Sequence, residues 1–286
     1  MTLSMRRLTL SDLPAIQELS DSMDIRNDPK IGDIAKALLQ GPETTLFGAF
    51  KNDFLVGVAG LRNKGWELAW IESVRVHGEH QKIGVGTALF RHGEAFAREQ
   101  GYQRVGFQTV TENAGSCRIG EILGYERKHE MYALWMNPQK DPIIEDKGNE
   151  QEELSTEEAL LALKRIPNAP KDEICIGWSY APITADYFSS QPDMKFYLQE
   201  DTIMLEYHDR DPNSKEVTFV KAILYGAGVG IESILSGFIA RNAKLELPLV
   251  PLCSEELVPH VLKMGFHHAT VWTGGHNIVV LFTKDL

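Results

Sequence analysis

The feature that most constrains the fold is a glycine-containing loop between a predicted strand and a predicted helix. Residues Trp70–Val76 have a strand-like pattern, a polar loop follows that contains Gly84 and Gly86, and a helical pattern comes next. Glycine lets the backbone turn tightly, and the first N–H groups of a helix have no partner inside the helix. Since those donors and the helix dipole both favour negative charge, the pattern predicts a site for a phosphate or pyrophosphate group.

The residues downstream make this motif specific. The loop lacks the Lys-Ser/Thr of a P-loop and the third glycine of the dinucleotide fingerprint. A strand over Arg104–Val110 is expected next, followed by Asn113 and a helix that ends at Gly124 and Tyr125. With Gln81 at the start of the loop, residues 4–136 resemble the GNAT N-acetyltransferases. Their signature reads Gln/Arg-x-x-Gly-x-Gly/Ala, then a strand, an Asn, and a helix closing on Gly-Phe or Gly-Tyr.

The resemblance implies acetyl-CoA as co-substrate. In the family, the strand before the loop splays from its neighbour, and its backbone groups bind the pantetheine and polarise the thioester; here these groups belong to Val74 and Val76. Asn113 would contact the arm of the cofactor. The pyrophosphate would be bound by the loop and the helix start, that is, by Gln81, Lys82, Ile83, Gly84, Val85, Gly86 and Thr87.

Glu72 is the candidate general base. It lies two residues before Val74, and strand alternation predicts that both side chains share one face with Trp70. A carboxylate in that apolar company can take a proton from an amine, directly or through water. The structural alternative is an acid that fixes a loop or points to solvent at the end of the strand.

The general acid is not evident from the sequence. Many members of the family carry a Tyr seven residues after the Asn, and this chain has Gly120 there. Cys117, Glu121 or Tyr132 are possible substitutes, or the thiolate leaves unassisted; we favour water. Tyr125 is expected to be a core aromatic residue.

The acceptor side is predicted by resemblance alone. The loop between two predicted N-terminal helices contributes the candidate substrate contacts Asp24, Arg26, Asn27 and Asp28. A solvated turn is the alternative reading, because turns favour these residue types. The segment Glu72-Ser-Val-Arg-Val76 resembles the corresponding strand of the histidine N-acetyltransferase group, which implies a free amino acid as acceptor, histidine among them. A peptide or protein amine, and a non-catalytic acyl-CoA sensor or scaffold, are the alternatives.

The fold class predicted is α/β, a mixed sheet flanked by helices, in a tandem arrangement. The element order over residues 1–138 reads β-α-α-β-β-β-α-β-α-β, with Glu126–Asn137 as the closing strand. Residues 139–172 are predicted to be an acidic linker with a short helix, since residues 141–158 hold eight acids and one base.

Residues 173–286 are expected to form a degenerate second copy. Gly228-Val-Gly230 corresponds to Gly84-Val-Gly86, and Met264-Gly-Phe266 corresponds to Leu123-Gly-Tyr125. Such self-similarity is a signal of repeated architecture. The second copy is predicted to have lost acetyl-CoA binding, because its loop is shorter and lacks the Gln and the Asn.

Composition excludes several classes of function. The net charge of −11 argues against nucleic-acid or anionic-membrane partners. The three cysteines are widely separated, and the histidines show no zinc spacing, so we expect no metal and a reducing compartment. His77 and His80 flank the loop and are expected to be solvated. We find no signal-peptide pattern and expect a cytoplasmic protein; the oligomeric state is not readable.

Overall fold

The structure is a computed structural model. It describes residues 2–23, 30–63, 67–141, 151–176, 180–210, 214, 216–269 and 278–286. The chain divides into two units. The first unit comprises residues 1–128 and 280–286, and the second unit comprises residues 129–279.

The described residues form a series of helices and strands. Up to Leu123 they are β1 Ser4–Arg7, α1 Leu13–Asp21, α2 Ile31–Gln40, β2 Thr44–Lys51, β3 Phe54–Asn63, β4 Leu68–Val76, α3 Val85–Glu99, β5 Arg104–Val110 and α4 Ala114–Leu123. After it they are β6 Glu126–Trp135, β7 Glu153–Leu154, α5 Thr156–Arg165, β8 Glu173–Cys175, β9 Tyr180–Pro182, α6 Ala185–Ser189, β10 Lys195–Gln199, β11 Thr202–Arg210, β12 Val217–Tyr225, α7 Ile231–Asn242, β13 Leu249–Cys253, α8 Val258–Lys263, β14 His267–His268 and β15 Ile278–Asp285.

The first unit is a mixed sheet with helices on both faces. Its strand order is β1-β2-β3-β4-β5-β15, with antiparallel pairs from β1 to β4 and a parallel pair between β4 and β5. One face packs against α1 and α2 around Leu46 and Val58. The other face packs against α3, where Val85 and Leu89 lie against β3. The predicted element order and the mixed α/β class are confirmed.

The strand beside β5 comes from the end of the chain. In the first unit, β15 lies next to β5. Phe282 is buried with Phe107 and Tyr125, and the backbone N–H of Leu286 donates to the carbonyl of Gln103 at 2.8 Å. Burial of the apolar side chains of β15 therefore completes the core of the first unit.

The second unit has its own sheet in the order β6-β13-β12-β11-β10-β7, and β8 and β9 form a separate hairpin. Within β6, residues Tyr132 and Ala133 pair with β13. The helix α5, predicted within an acidic linker, belongs to this unit; it begins with the expected capping box at Ser155 and buries Leu163. The domain boundaries at residues 138 and 172 stay predictions.

Candidate functional site

A β-bulge in β4 shapes the centre of the first unit. Glu72 lies opposite Gly60 and Arg75 lies opposite Val58. Between these two pairs β4 has two residues and β3 has one, so β4 contains one extra residue. Ser73 within this stretch has a φ of 54°, a left-handed conformation that a non-glycine residue seldom adopts. The extra residue shifts the side-chain alternation of β4 by one position from there on.

The bulge overturns the predicted placement of Glu72 and Val74 on one face. Glu72 lies on the face of α1 and α2, because Gly60 opposite it faces Leu46 of that core. Val74 and Val76 pack instead with residues of α3 on the other face. Strand alternation without a bulge was the wrong assumption, since the irregularity cannot be read from the residue types.

The strands β4 and β5 separate within the first unit. Their parallel ladder contains Leu68, Ala69 and Trp70 of β4, while the ladder between β4 and β3 continues to Val76. The β4 edge therefore leaves its β5 neighbour beyond Trp70. The carbonyl of Val74 accepts a hydrogen bond from Arg75 Nη1 at 3.1 Å, and that of Val76 accepts one from Gln81 Nε2 at 3.3 Å.

The glycine loop leads directly from this opening into α3. After a 3-10 turn at Gly78–His80, Lys82 and Gly84 take positive φ values of 61° and 95°, and Gly84 caps the helix. The first hydrogen bond of the helix runs from the N–H of Ala88 to the carbonyl of Gly84 at 3.0 Å. The N–H groups before Ala88 are thus not used by the helix ladder and are available to an anion.

The predicted loop residues differ in exposure. The residues from Gln81 to Gly84 are exposed, Gly86 and Thr87 are half-buried, and Val85 is buried against β3. Val85 can therefore serve a ligand through its backbone alone. A Cβ at Gly86 would lie 3.0 Å from Ile119 Cδ1, so the loop closely approaches α4, while the space around Gly84 is open.

The predicted cofactor contact Asn113 caps α4. Its side chain accepts a hydrogen bond from the N–H of Ser116 at 3.1 Å. Cys117 in the same helix is buried, its thiol faces the carbonyl groups of Val110 and Thr111, and burial raises its pKa. The thiol is therefore neutral near pH 7 and already donates to the backbone.

The structure explains why residue 120 is glycine. A Cβ there would lie 2.8 Å from the ring of Phe282 and 3.1 Å from that of Phe107. The two rings are stacked with centroids 4.9 Å apart. A tyrosine at Gly120 has no room, because β15 fills the space; the sequence alone had no signal for this partner.

Glu72 is held in an ion pair. Its Oε1 accepts hydrogen bonds from Arg62 Nε at 2.9 Å and Arg62 Nη2 at 2.7 Å, and from Thr44 Oγ1 at 3.2 Å. The Glu72 side chain is 17% exposed. Among the described residues, its Oε2 accepts no hydrogen bond. Sequence reasoning missed Arg62, because a diagonal cross-strand pair depends on the register of β3 and β4.

The second unit carries an ion pair of reversed sign in the same register. Lys221 of β12 lies opposite Tyr207 and pairs with Asp209, two residues further along β11. Glu72 lies opposite Gly60 and likewise pairs with the residue two positions further along β3, Arg62. An ion pair between a strand residue and the residue two positions beyond its cross-strand neighbour thus occurs in both units.

The glycine loop of the second unit is filled by its own chain. A Cβ at Gly226 would lie 2.3 Å from the carbonyl oxygen of Asp201, and one at Gly230 would lie 2.6 Å from that of Gln199. The parallel ladder of β12 and β13 runs from Val220 to Leu224, next to the end of β12 at Tyr225. The second unit thus lacks the opening between strands that the first unit has.

The other sequence candidates fall outside the opening or outside the described residues. Asp24, Arg26, Asn27 and Asp28 lie outside the described residues. His77, expected to be solvated, is buried, and its Nδ1 accepts a hydrogen bond from the N–H of Glu79 at 3.3 Å, which makes it part of the 3-10 turn.

The two tyrosines differ in their surroundings. Tyr125 is a buried core residue; burial and the nearby Glu94 raise the pKa of its hydroxyl. Burial first and Glu255 second raise the pKa of Tyr132, which belongs to the second unit. Both hydroxyls are therefore neutral near pH 7.

Comparison with known proteins identifies the family. The model of the acetyltransferase (GNAT) family matches residues 7–125, which contain the opening, the glycine loop and α4. Residues 7–125 of this chain belong to the GNAT family. The resemblance predicted from the loop motif is confirmed, and the match supports an acetyl-CoA-dependent N-acetyltransferase activity for this part of the chain.

Relatives of known sequence or structure agree with this assignment. The uncharacterized N-acetyltransferase YsnE of Bacillus subtilis (strain 168) is 28% identical over 118 residues, which are 41% of this chain and 72% of that protein. The crystal structure of a GCN5-related N-acetyltransferase from Sphaerobacter thermophilus covers 99% of this chain and 95% of its own, with a TM-score of 0.64 and 15% identity.

A tandem GNAT protein from the clavulanic acid biosynthesis pathway is similar over 99% of this chain and 98% of its own, with a TM-score of 0.53 and 13% identity. At such identities the likeness concerns the fold, and the tandem GNAT fold predicted for the chain is confirmed.

Two features are absent from the part of the chain that the structure describes. No helix among the described residues combines the length and apolar character needed to cross a bilayer. In the same part of the chain, no three His, Cys, Asp or Glu side chains are grouped as a metal site would require.

Proposed function

We propose that the first unit acetylates the primary amine of a small molecule or an amino acid, histidine being one candidate, by direct attack in a ternary complex. The observation that supports this most is the separation of β4 from β5 after Trp70, directly before the glycine loop and the start of α3. The second unit provides the internal comparison, since its ladder continues to Leu224.

Acetyl-CoA would be held by backbone groups. It supplies an activated acyl group and a thiol leaving group. The N–H groups from Gly84 to Thr87, assisted by Gln81 and Lys82, suit its pyrophosphate. Because the carbonyls of Val74 and Val76 accept hydrogen bonds from side chains, a bound pantetheine can displace those donors without breaking a strand ladder.

Glu72 is the proposed general base. Arg62 fixes Oε1 of its carboxylate, and Oε2 is left to a water molecule or an amine. The proposed proton source for the leaving thiolate is water. Phe282 excludes a tyrosine at Gly120, and the thiol of Cys117 faces backbone carbonyls.

The test is the release of free thiol from acetyl-CoA across a panel of small amines, amino acids and peptides, beside a binding titration with coenzyme A. We expect binding and turnover of small amines. Turnover of peptide amines alone would replace the small-molecule acceptor with a peptide. Binding without any turnover would support the acyl-CoA sensor instead.

A second measurement tests the base. Glu72→Gln is expected to lower kcat by about 100-fold or more, with unchanged affinity for coenzyme A. Glu18→Gln, an exposed position on α1, is the control and should leave kcat unchanged. If Glu72→Gln retains kcat and only lowers stability, the ion pair with Arg62 is structural and another base must be sought.

A further inference from the structure

The end of α1 lies against the turn that leads into the glycine loop. Ser22 is the C-terminal cap of α1, and its Oγ accepts a hydrogen bond from the N–H of Gly78 at 3.1 Å. Gly78 begins the 3-10 turn, and the exposed loop residues from Gln81 to Gly84 follow this turn directly. A hydroxyl group of α1 therefore holds the start of the segment that would bind the pyrophosphate of acetyl-CoA.

The close approach to α1 explains why residue 78 is glycine. A Cβ at this position would lie 2.5 Å from the carbonyl oxygen of Ser22. Gly84 has a positive φ and Gly78 does not, so the backbone conformation at Gly78 does not itself require glycine. The requirement comes from the contact, because the main chain of the turn lies directly against the main chain of α1.

The hydroxyl of Ser22 has a fixed orientation and a rigid support. Its Oγ donates a hydrogen bond to the carbonyl of Leu19 at 2.7 Å, so the lone pairs of the oxygen are left to accept the N–H of Gly78. Leu19 and Ile16 of α1 are buried in the core that contains Val58 of β3. The hydrogen-bond acceptor for the turn is therefore fixed to the core by α1.

Other hydrogen bonds of the turn come from β3 and from the turn itself. The N–H of His77 donates to the carbonyl of Val56 at 3.0 Å, and the N–H of Glu79 donates to His77 Nδ1 at 3.3 Å. The hydrogen bond to Ser22 adds a connection to α1, which covers the sheet face on which Glu72 lies. The turn is thus joined both to the sheet and to the helix above the proposed base.

A loop of exposed residues loses conformational freedom when it binds a ligand, and contacts that hold the loop beforehand lower this cost. We propose that Ser22 is a positioning residue for acetyl-CoA: by holding Gly78, it keeps the glycine loop in the conformation that binds the pyrophosphate. Ser22 acts through the loop and not on the reacting atoms. This inference rests on the proposed acetyltransferase function of the first unit. The structural alternative is a hydroxyl that stabilises only the end of α1.

The experiment removes the hydroxyl and measures the affinity for coenzyme A by titration. Ser22→Ala is expected to raise the Kd of coenzyme A and the KM of acetyl-CoA by about 3- to 10-fold, the effect of one lost hydrogen bond. The kcat and the KM of the amine should stay within about 2-fold, since catalysis is not touched. Ser22→Thr keeps a hydroxyl and should restore the affinity.

Ser20→Ala is the matched control on the same helix. The Oγ of Ser20 accepts a hydrogen bond from the N–H of Gly32 in α2 at 3.2 Å, so this variant also removes the acceptor of a glycine N–H. The lost contact joins α1 to α2 and does not reach the glycine loop. Ser20→Ala should therefore leave the Kd of coenzyme A unchanged, whatever its effect in urea unfolding.

Gly78→Ala tests the contact from the side of the loop. The added methyl group would push the turn away from Ser22, and we expect the Kd of coenzyme A to rise at least as much as in Ser22→Ala. The two substitutions remove the same contact, so the double variant should bind coenzyme A more tightly than the product of the two single effects predicts.

The outcomes separate this inference from the proposed function. An unchanged coenzyme A affinity in Ser22→Ala, an equal loss in Ser20→Ala, or no recovery in Ser22→Thr overturns the role of Ser22 and leaves the acetyltransferase function standing. A fall in kcat at unchanged affinity also overturns it, because a positioning role in cofactor binding acts on Kd. No binding of coenzyme A by the unmodified protein would refute the proposed function, and this inference with it.

Discussion

Replacing Gly120 with alanine would place a methyl group against two aromatic rings. The new Cβ would lie 2.8 Å from Phe282 Cδ1, 3.0 Å from its Cε1 and 3.1 Å from Phe107 Cζ. Phe282 is 1% exposed and Phe107 is 3% exposed, so neither ring can move without disturbing the core. Overpacking costs about 1–3 kcal/mol, and the higher helix propensity of alanine returns about 1 kcal/mol. We expect a net loss of about 0–2 kcal/mol in the free energy of unfolding.

The effect of Gly120→Ala on the free energy of unfolding is expected to change sign when Phe282 is replaced by alanine. Phe282→Ala by itself is expected to cost about 3–5 kcal/mol, because a buried ring is lost from the core. In that background the alanine at position 120 meets no ring of residue 282, and its helix propensity adds about 1 kcal/mol. The coupling between the two positions is therefore about 1–3 kcal/mol.

Urea unfolding of the four proteins of this cycle, followed by circular dichroism, measures the coupling. Gly115→Ala on the same helix is the control, because its Cβ would meet Asn113 Oδ1 at an ordinary 3.6 Å. It should neither destabilise the protein nor couple to Phe282→Ala. If the changes in the free energy of unfolding caused by Gly120→Ala and Phe282→Ala add within about 0.5 kcal/mol, the rings do not contact residue 120. The described packing of β15 is then refuted.

The remaining predictions concern pH and the two glycine loops. Arg6 hydrogen-bonds Asp12 at 2.6 Å and lowers the pKa of that carboxyl to about 2, so the stabilisation is present above the ordinary value of 3.8 and is lost as the pH falls through 2. Asp12→Asn should therefore cost about 1–2 kcal/mol at pH 7, discounted for the exposure of Arg6, and should flatten the acid limb of stability between pH 4 and 2. Gly84→Ala, at a φ of 95° with open space around it, should cost about 1 kcal/mol in stability and weaken coenzyme A binding measured by titration. Gly226→Ala, whose Cβ would meet the carbonyl of Asp201 at 2.3 Å, should cost more in thermal unfolding yet leave coenzyme A affinity unchanged; equal affinity losses at both glycines would contradict the distinction between the loops.

Much of the fold was predictable because its signals are local. The capping box at Ser155, the glycine before α3 and the Asn cap of α4 each act through residues a few positions apart. The predicted strand at Glu126–Asn137 exists over Glu126–Trp135. An alternating pattern shows that a segment is a strand and does not specify its neighbour, which burial of β15 decided here.

The sequence predicted the conformation of the glycine loop in the candidate site, but it did not predict the contacts of the residues around that loop. The positive φ of Gly84 and the free helix start follow from the residue types. The ion pair of Glu72 with Arg62, and the position of Glu72 relative to Val74, depend on a bulge at Ser73. That residue type does not favour a left-handed conformation, so no sequence rule indicates it.

The sequence by itself determined the glycine loop, the helix it opens and the family to which they belong, because backbone freedom and helix capping are properties of adjacent residues. Only the tertiary structure decided that Glu72 and Val74 lie on opposite faces, which strand lies beside β5, and that Phe282 takes the space next to Gly120. Those outcomes arise from strand register and from side-chain packing between residues that are far apart in the sequence, where no local pattern carries the information.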